Sequence, residues 1–301
     1  MDYFCFTLIF IFVLFLYVHV TSQYKRGEEL EIYEADFTNN KALQEVCDLK
    51  QPFLFEYRLI YPEFFDKVND ETIADLGAAH DLKVKEIDDY WTTNSNTIDY
   101  VVLPFSSLQI LVSTDTKSRY FTENNDDFIE EANLHGLYSK NDEFIKPYMT
   151  IQTKYDVMMG SKGVVTPMRY HTDYRRFICV NSGKLRVKMT PYKSSKYLHP
   201  VKDYVNYEFW SPVNAWQPQD KYMNDMEKAR FIEFDVLAGN VLYVPPYWWY
   251  SIKFGEADTL VSGFTYISAM NAVANTVDWV QYFLRQNEMK SAKTTDIVQS
   301  P

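Results

Sequence analysis

The order of apolar and polar residues divides the chain into one long apolar segment and many shorter, periodic ones. Residues 3–20 form an almost unbroken apolar run, which is long enough to cross a bilayer core as a helix. A polar, charged connector follows over residues 23–32. Between residues 40 and 48, Leu43 and Val46 lie on one side of a helical turn, which predicts a short helix there.

Strand patterns are concentrated in the second half of the chain. Residues 183–189 alternate basic and apolar side chains, and residues 241–244 and 260–267 are rich in β-branched and aromatic residues. A helical pattern follows over residues 269–285, and such a helix can pack on its own domain or on a second copy of the chain. In the first half, residues 101–112 have a strand pattern with a turn near Ser106.

The flanks of the apolar run bear on its topology. Lys25 and Arg26 follow it, and positive residues on the C-terminal side favour a cytosolic location for the rest of the chain. No Asn-X-Ser/Thr acceptor occurs, which also argues against a lumenal domain. We therefore predict that residues 1–22 form an uncleaved anchor of a single-pass membrane protein. The alternative is a signal segment cleaved near Ser22, which would leave a secreted or lumenal domain.

Composition narrows the function classes. The chain has 301 residues and a net charge of −11, with its lysines and arginines scattered, so nucleic acid is not an expected partner. The three cysteines, Cys5, Cys47 and Cys179, have no metal-ligand spacing and are odd in number, so a disulfide framework is not expected.

The segment 239–254 is the most distinctive in the chain. A Gly239-Asn240 turn precedes a strand, two prolines interrupt it, and aromatic residues follow. Because side chains alternate along a strand, Trp248 and Tyr250 are expected on one face and Trp249 on the other. The segment can also be a buried aromatic strand that has no chemical role.

A second distinctive segment covers residues 166–173 and contains Thr166, Arg169, His171 and Asp173. Residues 169, 171 and 173 are two positions apart, so alternation places all three on one strand face. An imidazole and a carboxylate on one strand face can contact the same bound ion.

These two segments resemble the metal-ligand strands of JmjC-type, cupin-like hydroxylases, the class that includes the asparaginyl hydroxylase of hypoxia-inducible factor. The resemblance implies a mainly β fold with flanking helices (α+β), a double-stranded β-helix of the jelly-roll type, over residues 33–286. It would lie behind the N-terminal transmembrane helix and the 23–32 linker, and residues 287–301 would form a disordered tail.

The resemblance can be aligned in two registers. Anchoring on Thr166-Pro167 puts Arg169 and His171 at the two ligand positions, and puts Lys184 at the position of the lysine that binds 2-oxoglutarate. Anchoring on His171 and Asp173 restores both ligands but moves Leu185 close to that lysine position. In both registers the third ligand, a histidine in the family, is Tyr250.

The resemblance therefore supports two hypotheses. In the first, the chain is a catalytically impaired relative that holds no iron and binds a ligand or protein partner in a pocket containing Arg169, Trp248 and Tyr250. In the second, it is an active Fe(II)/2-oxoglutarate-dependent dioxygenase that hydroxylates a protein side chain with an incomplete triad. There His171 and Asp173 would bind Fe(II), and the 2-oxoglutarate would be held by Thr166, Lys184 and Arg186. Those basic residues can equally form a solvated strand face.

Overall fold

The computed structural model describes residues 2–92, 99–256 and 258–299. Its helices are α1 (Asp2–Gln23), α2 (Asn40–Cys47), α3 (Pro62–Lys67), α4 (Asp70–Gly77), α5 (Ile87–Thr92), α6 (Phe105–Thr114), α7 (Asp126–Glu131), α8 (His135–Ser139), α9 (Asp142–Ile145), α10 (Ser195–Leu198), α11 (Met223–Met226), α12 (Ala269–Ala274) and α13 (Thr276–Gln299). Its strands are β1 (Tyr33–Glu34), β2 (Phe53–Glu56), β3 (Asp81–Glu86), β4 (Val101–Pro104), β5 (Tyr120–Thr122), β6 (Thr150–Gly160), β7 (Arg169–Tyr170), β8 (Arg175–Val180), β9 (Lys184–Thr190), β10 (Val201–Asp203), β11 (Glu208–Trp210), β12 (Ile232–Leu237), β13 (Asn240–Val244), β14 (Trp249–Phe254) and β15 (Leu260–Ser268).

The described strands form two sheets, and almost all neighbouring strands are antiparallel. One sheet has nine strands in the order β1-β2-β13-β8-β15-β6-β5-β3-β4, and the other has six in the order β10-β11-β7-β14-β9-β12. Consecutive strands such as β7 and β8, or β13 and β14, lie in different sheets, so the chain crosses repeatedly between them. This mixed α+β arrangement of two antiparallel sheets is consistent with the cupin jelly roll that the sequence predicts.

The core between the sheets is rich in aromatic residues. Trp248, just before β14, and Trp249, its first residue, are both fully buried in different clusters, because successive side chains point to opposite sides of the chain. Tyr250 shares the cluster of Trp248, as the sequence predicts. The turn before β13 depends on Gly239, whose φ of +96° favours glycine.

The strand predicted over residues 101–112 is only half correct. The strand β4 ends at Pro104, and α6 begins at Phe105. Phe105, Leu108 and Val112 are all buried, and their spacing is that of one helix face. Helical periodicity therefore outweighs the β-branched composition of the segment.

The helix α1 is long and apolar enough to cross a membrane, by length and composition. The connector after it is not a free linker, since it packs on the domain. The Tyr24 hydroxyl donates a hydrogen bond to the Ala274 carbonyl, and the Arg26 guanidinium lies 3.7 Å from the ring centroid of Tyr192 and 4.4 Å from that of Tyr247.

The C-terminal helix predicted over residues 269–285 is two helices, α12 and α13, separated at Asn275. The helix α13 extends to Gln299, into the tail predicted from residue 287, and residues 300 and 301 lie outside the described part. The disorder predicted for this tail stays a prediction. Polar residues such as Glu288 and Lys290 have good helix propensity, and the sequence contains no glycine or proline from residue 276 to 299 to end the helix.

Candidate functional site

A cavity of about 290 Å³ lies between the two sheets. The side chains that dominate its chemistry are charged or hydrogen-bonding: Glu123, Arg169, His171, Asp173, Arg176 and Tyr250. His171, Asp173 and Tyr250 were predicted as ligand positions, and Arg169 was predicted as a pocket residue and, in one register, as a ligand position. The fold therefore brings His171, Asp173, Tyr250 and Arg169 to one place.

Tyr250 is held by two arginines from opposite sheets. Arg169 of β7 is its direct cross-strand partner on β14, and the Arg169 guanidinium lies 5.4 Å from the Tyr250 ring centroid. Arg176 of β8 reaches across from the other sheet, and its Nη1 donates a 2.7 Å hydrogen bond to the Tyr250 hydroxyl. The position of the third family ligand is thus enclosed by two guanidinium groups, which stay protonated in proteins.

A buried network of charges supports this arrangement. Glu123 forms ion pairs with Arg169 and with Lys85 Nζ, which lies 3.1 Å away. Lys85 also lies 2.7 Å from a carboxylate oxygen of Glu208. Burial alone would raise the pKa of the Glu123 carboxyl, but the charges of Arg169 and Lys85 outweigh it and lower that pKa to about 2. Glu123 is therefore ionised, and its charge is committed to the two cations.

His171 is buried, with 6% of its surface exposed, and its Nε2 lies 2.9 Å from the Val244 carbonyl oxygen. A carbonyl only accepts, so Nε2 carries the proton and Nδ1 presents a lone pair. Nδ1 lies 3.5 Å from Asp173 Oδ2 and has no hydrogen-bond partner among the described residues. Burial, with a smaller contribution from Arg176, lowers the pKa of His171 to about 4 even though Asp173 opposes the shift.

The loop that carries His171 and Asp173 is not a strand, since β7 ends at Tyr170. Its backbone is held instead by two asparagine side chains, one on α12 and one at the break between α12 and α13. Asn271 and Asn275 both donate side-chain hydrogen bonds to the Thr172 carbonyl, at 2.9 and 3.3 Å. Both predicted ligands still line the cavity, although strand alternation is not what places them there.

These residues do not fit an Fe(II) site. His171 Nδ1 and an Asp173 oxygen lie 3.5 Å apart, but the described residues contain no group of three or more His, Cys, Asp or Glu side chains arranged to hold a metal ion. The Tyr250 hydroxyl already accepts a hydrogen bond from Arg176. Two fixed positive charges beside the third position would also repel a cation.

Two predicted site residues lie outside the cavity lining. The Thr166 hydroxyl accepts a 2.9 Å hydrogen bond from the Ile252 backbone amide, so it is used to pair β14 with the preceding segment. Trp248 packs in the core, and its indole Nε1 donates to the Lys50 carbonyl at 3.1 Å. Neither residue is therefore among the described residues that line this cavity, and their predicted roles stay predictions.

Lys184 and Arg186, which the sequence predicts to bind the cosubstrate, are not among the described residues that line the cavity. Lys184 lies 3.1 Å from Asp235, and Arg186 2.6 Å from Glu233, on the neighbouring strand β12. The inward positions of β9 are the fully buried Leu185, Val187 and Met189. Neither register therefore supplies a cavity lysine from this strand, since Lys184 is outside and Leu185 is apolar.

Sequence reasoning did not find Arg176, Glu123, Lys85 or Glu208. Three of them, Glu123, Lys85 and Glu208, lie more than 30 residues from the metal motif in sequence, so no local spacing connects them with it. Arg176 had a detectable signal, because it is a charged residue beside the apolar run Phe177 to Val180 of one strand. A buried charge in such a strand requires a partner.

Comparison with known proteins agrees with this fold. The family model described as the cupin-like domain matches residues 67–273. JmjC domain-containing protein D of Dictyostelium discoideum is 30% identical over 95 residues, which cover 32% of this chain. The chain matches only 21% of the length of that relative.

Proposed function

Because this chain belongs to the cupin-like domain family, we propose that it is a catalytically impaired relative of Fe(II)/2-oxoglutarate-dependent protein hydroxylases. It would use the cavity between its sheets to bind a ligand or a protein partner, and it would not hold iron. Its JmjC-domain relative is consistent with an origin among such enzymes, although the match covers a small part of that protein.

The observation that carries this proposal is the contact between Arg176 and Tyr250. A neutral imidazole with an open lone pair is the ligand that the family uses at this position. Here a phenol accepts a hydrogen bond from one guanidinium and packs under another. The positive charges of Arg169 and Arg176 at this point would repel a metal cation, which supports the proposal.

The test is Fe(II) binding under anaerobic conditions, with and without 2-oxoglutarate. The native protein should bind no stoichiometric iron and release no succinate. Tyr250→His alone should also fail, because Arg169 and Arg176 remain beside the new imidazole. Tyr250→His combined with Arg176→Leu removes one of those charges and should give measurable iron binding, which His171→Ala in the same background should abolish.

One observation favours the alternative, an active dioxygenase with two protein ligands and water. His171 Nδ1 and Asp173 Oδ2 are 3.5 Å apart and both present lone pairs, so they can share one ion. Stoichiometric iron in the native protein, lost in His171→Ala and accompanied by succinate formation, would establish this function and disprove the impaired one.

We further propose that α1 anchors the chain in a membrane as a single span, with the cavity-bearing domain on the cytosolic side. The apolar length of α1 and the basic residues Lys25 and Arg26 support this topology. The alternative remains a cleaved signal and a secreted or lumenal domain. Association of two copies through α13 is a separate proposal, supported by the exposed apolar residues Val277, Val280 and Phe283.

A further inference from the structure

The cavity contains an unused hydrogen-bond donor beside a partly accessible cation. Arg169 is 9% exposed, and its Nε has no hydrogen-bond partner among the described residues. Arg176 keeps 26% of its side chain accessible. A buried N–H without a partner is unfavourable, and two neighbouring guanidinium groups are a strong site for a carboxylate.

A few ångströms away, the cavity has hydrogen-bond acceptors that lack a donor among the described residues. His171 Nδ1 and Asp173 Oδ2 lie 3.5 Å apart, and the His171 proton is on Nε2, which donates it to the Val244 carbonyl. Two acceptors so placed require a donor between them, and the charge of Asp173 favours a cationic one. The donor and acceptor halves adjoin, because Arg176 Nε lies 3.7 Å from Asp173 Oδ2.

The formal charges of the described cavity lining balance. Five lining residues are basic, namely Lys83, Lys85, Lys154, Arg169 and Arg176, and five are acidic, namely Glu123, Asp126, Asp156, Asp173 and Glu208. A ligand with net charge would leave one of these uncompensated in a largely buried site, which is unfavourable. A ligand with both charges and no net charge satisfies each half, and the cavity of about 290 Å³ restricts it to a small molecule.

We propose that the cavity binds the zwitterion of a free α-amino acid. Its carboxylate would contact Arg169 and Arg176, and its ammonium would donate hydrogen bonds to both His171 Nδ1 and Asp173 Oδ2. The two groups share one carbon in an α-amino acid, which matches the close approach of the two halves. In a peptide the free ammonium and the free carboxylate belong to different residues. A chain terminus would therefore satisfy either the donor half or the acceptor half of the cavity, but not both. This inference rests on the proposed function, because iron would compete for His171 and Asp173.

The test uses full-length protein in detergent and a panel of free L-amino acids, with binding measured by calorimetry. For any amino acid that binds, two analogues with the same side chain are compared. One has a hydroxyl in place of the ammonium, and the other has an amide in place of the carboxylate. Each analogue should bind about tenfold more weakly or worse, since it loses a charge-assisted contact. Equal binding of the hydroxy analogue would overturn the ammonium site, and no binding by any amino acid would overturn the proposal.

Variants locate the binding in this cavity. Asp173→Asn and Arg176→Gln should each weaken binding by about tenfold or more. Arg119→Gln is the control, because Arg119 pairs with Glu86 outside the cavity and should leave binding unchanged. Unchanged binding in both cavity variants would overturn the proposal even if an amino acid binds elsewhere. Iron binding is measured separately. If the protein binds neither iron nor an amino acid, only this inference is disproved. If it binds stoichiometric iron, the proposed function is disproved.

Discussion

Arg176 Nη1 lies 2.7 Å from the Tyr250 hydroxyl oxygen, and this hydrogen bond joins the two sheets across the cavity. Arg176 is on β8 of the nine-stranded sheet and Tyr250 on β14 of the six-stranded sheet. The residue that replaces the third family ligand is therefore a structural link between the two halves of the fold, in addition to lining the cavity.

Tyr250→Phe should destabilise the fold by about 1–2 kcal/mol, because it leaves an Arg176 N–H without its partner inside the protein. The measurement is the free energy of unfolding in urea. Tyr33→Phe is the matched control, since the Tyr33 hydroxyl bonds to Glu29 on the surface and its loss should have little effect. Equal effects in both variants would show that the cross-sheet bond contributes nothing specific.

Glu123→Gln should have a larger effect, a loss of about 3–5 kcal/mol, because two buried cations lose the charge that compensates them. Lys85 and Arg169 would then face each other across a neutral amide. Chemical denaturation measures the loss. Glu63→Gln, which removes the surface partner of Lys67, should leave stability almost unchanged. A loss in Glu123→Gln as small as in the control would contradict the buried network.

His171 should make stability depend on pH between about 6.5 and 4. Burial lowers its pKa from 6.5 to about 4, so in this range the unfolded chain binds a proton that the folded chain does not. Stability should therefore fall as the pH falls through this window, by about 3 kcal/mol in total. Unfolding free energies of the native protein and His171→Asn, measured at several pH values, test this.

The difference between the two proteins isolates His171 from the carboxylates that titrate in both. His171→Asn should lose less stability between pH 6.5 and 4 than the native protein does. Parallel curves for the two proteins would mean that His171 is protonated in the folded state, and the lone pair assigned to Nδ1 would then be wrong.

The membrane proposal predicts that the full-length chain resists extraction by alkaline carbonate and that removal of residues 1–22 releases it. Arg26→Gln is the control, because it keeps the apolar run of α1 intact and should remain in the membrane. A mature protein whose mass corresponds to cleavage near Ser22 would establish a signal segment instead of an anchor.

Local patterns were sufficient for the strands that frame the cavity. Turn chemistry alone predicts the turn at Gly239. Alternation predicts the apolar residues of β13 and places Trp248 and Trp249 on opposite faces. Alternation also separated Leu185 from Lys184 and Arg186, but it could not say which face points inward. The resemblance assigned the basic face to the cosubstrate, whereas the core takes the apolar face.

The network around Tyr250 could not be predicted in the same way. Glu123 follows β5, Lys85 is on β3 and Arg176 is on β8, so their contacts with the metal motif depend on the packing of one sheet on the other. No periodicity within a single segment records such a contact. The pairing of Arg169 with Glu123 is the clearest case, because 46 residues separate them in sequence.

The balance of charges in the cavity also limits how this sequence can change. Replacing Tyr250 with a histidine leaves two guanidinium groups beside it, and replacing Arg169 leaves Glu123 with one cation fewer. Each single substitution towards a metal site thus gives a protein whose interior contains a group that lacks a compensating charge or is repelled by its neighbours. The arrangement therefore makes evolution towards metal binding difficult. Several positions must change together before selection for metal chemistry could act on any one of them.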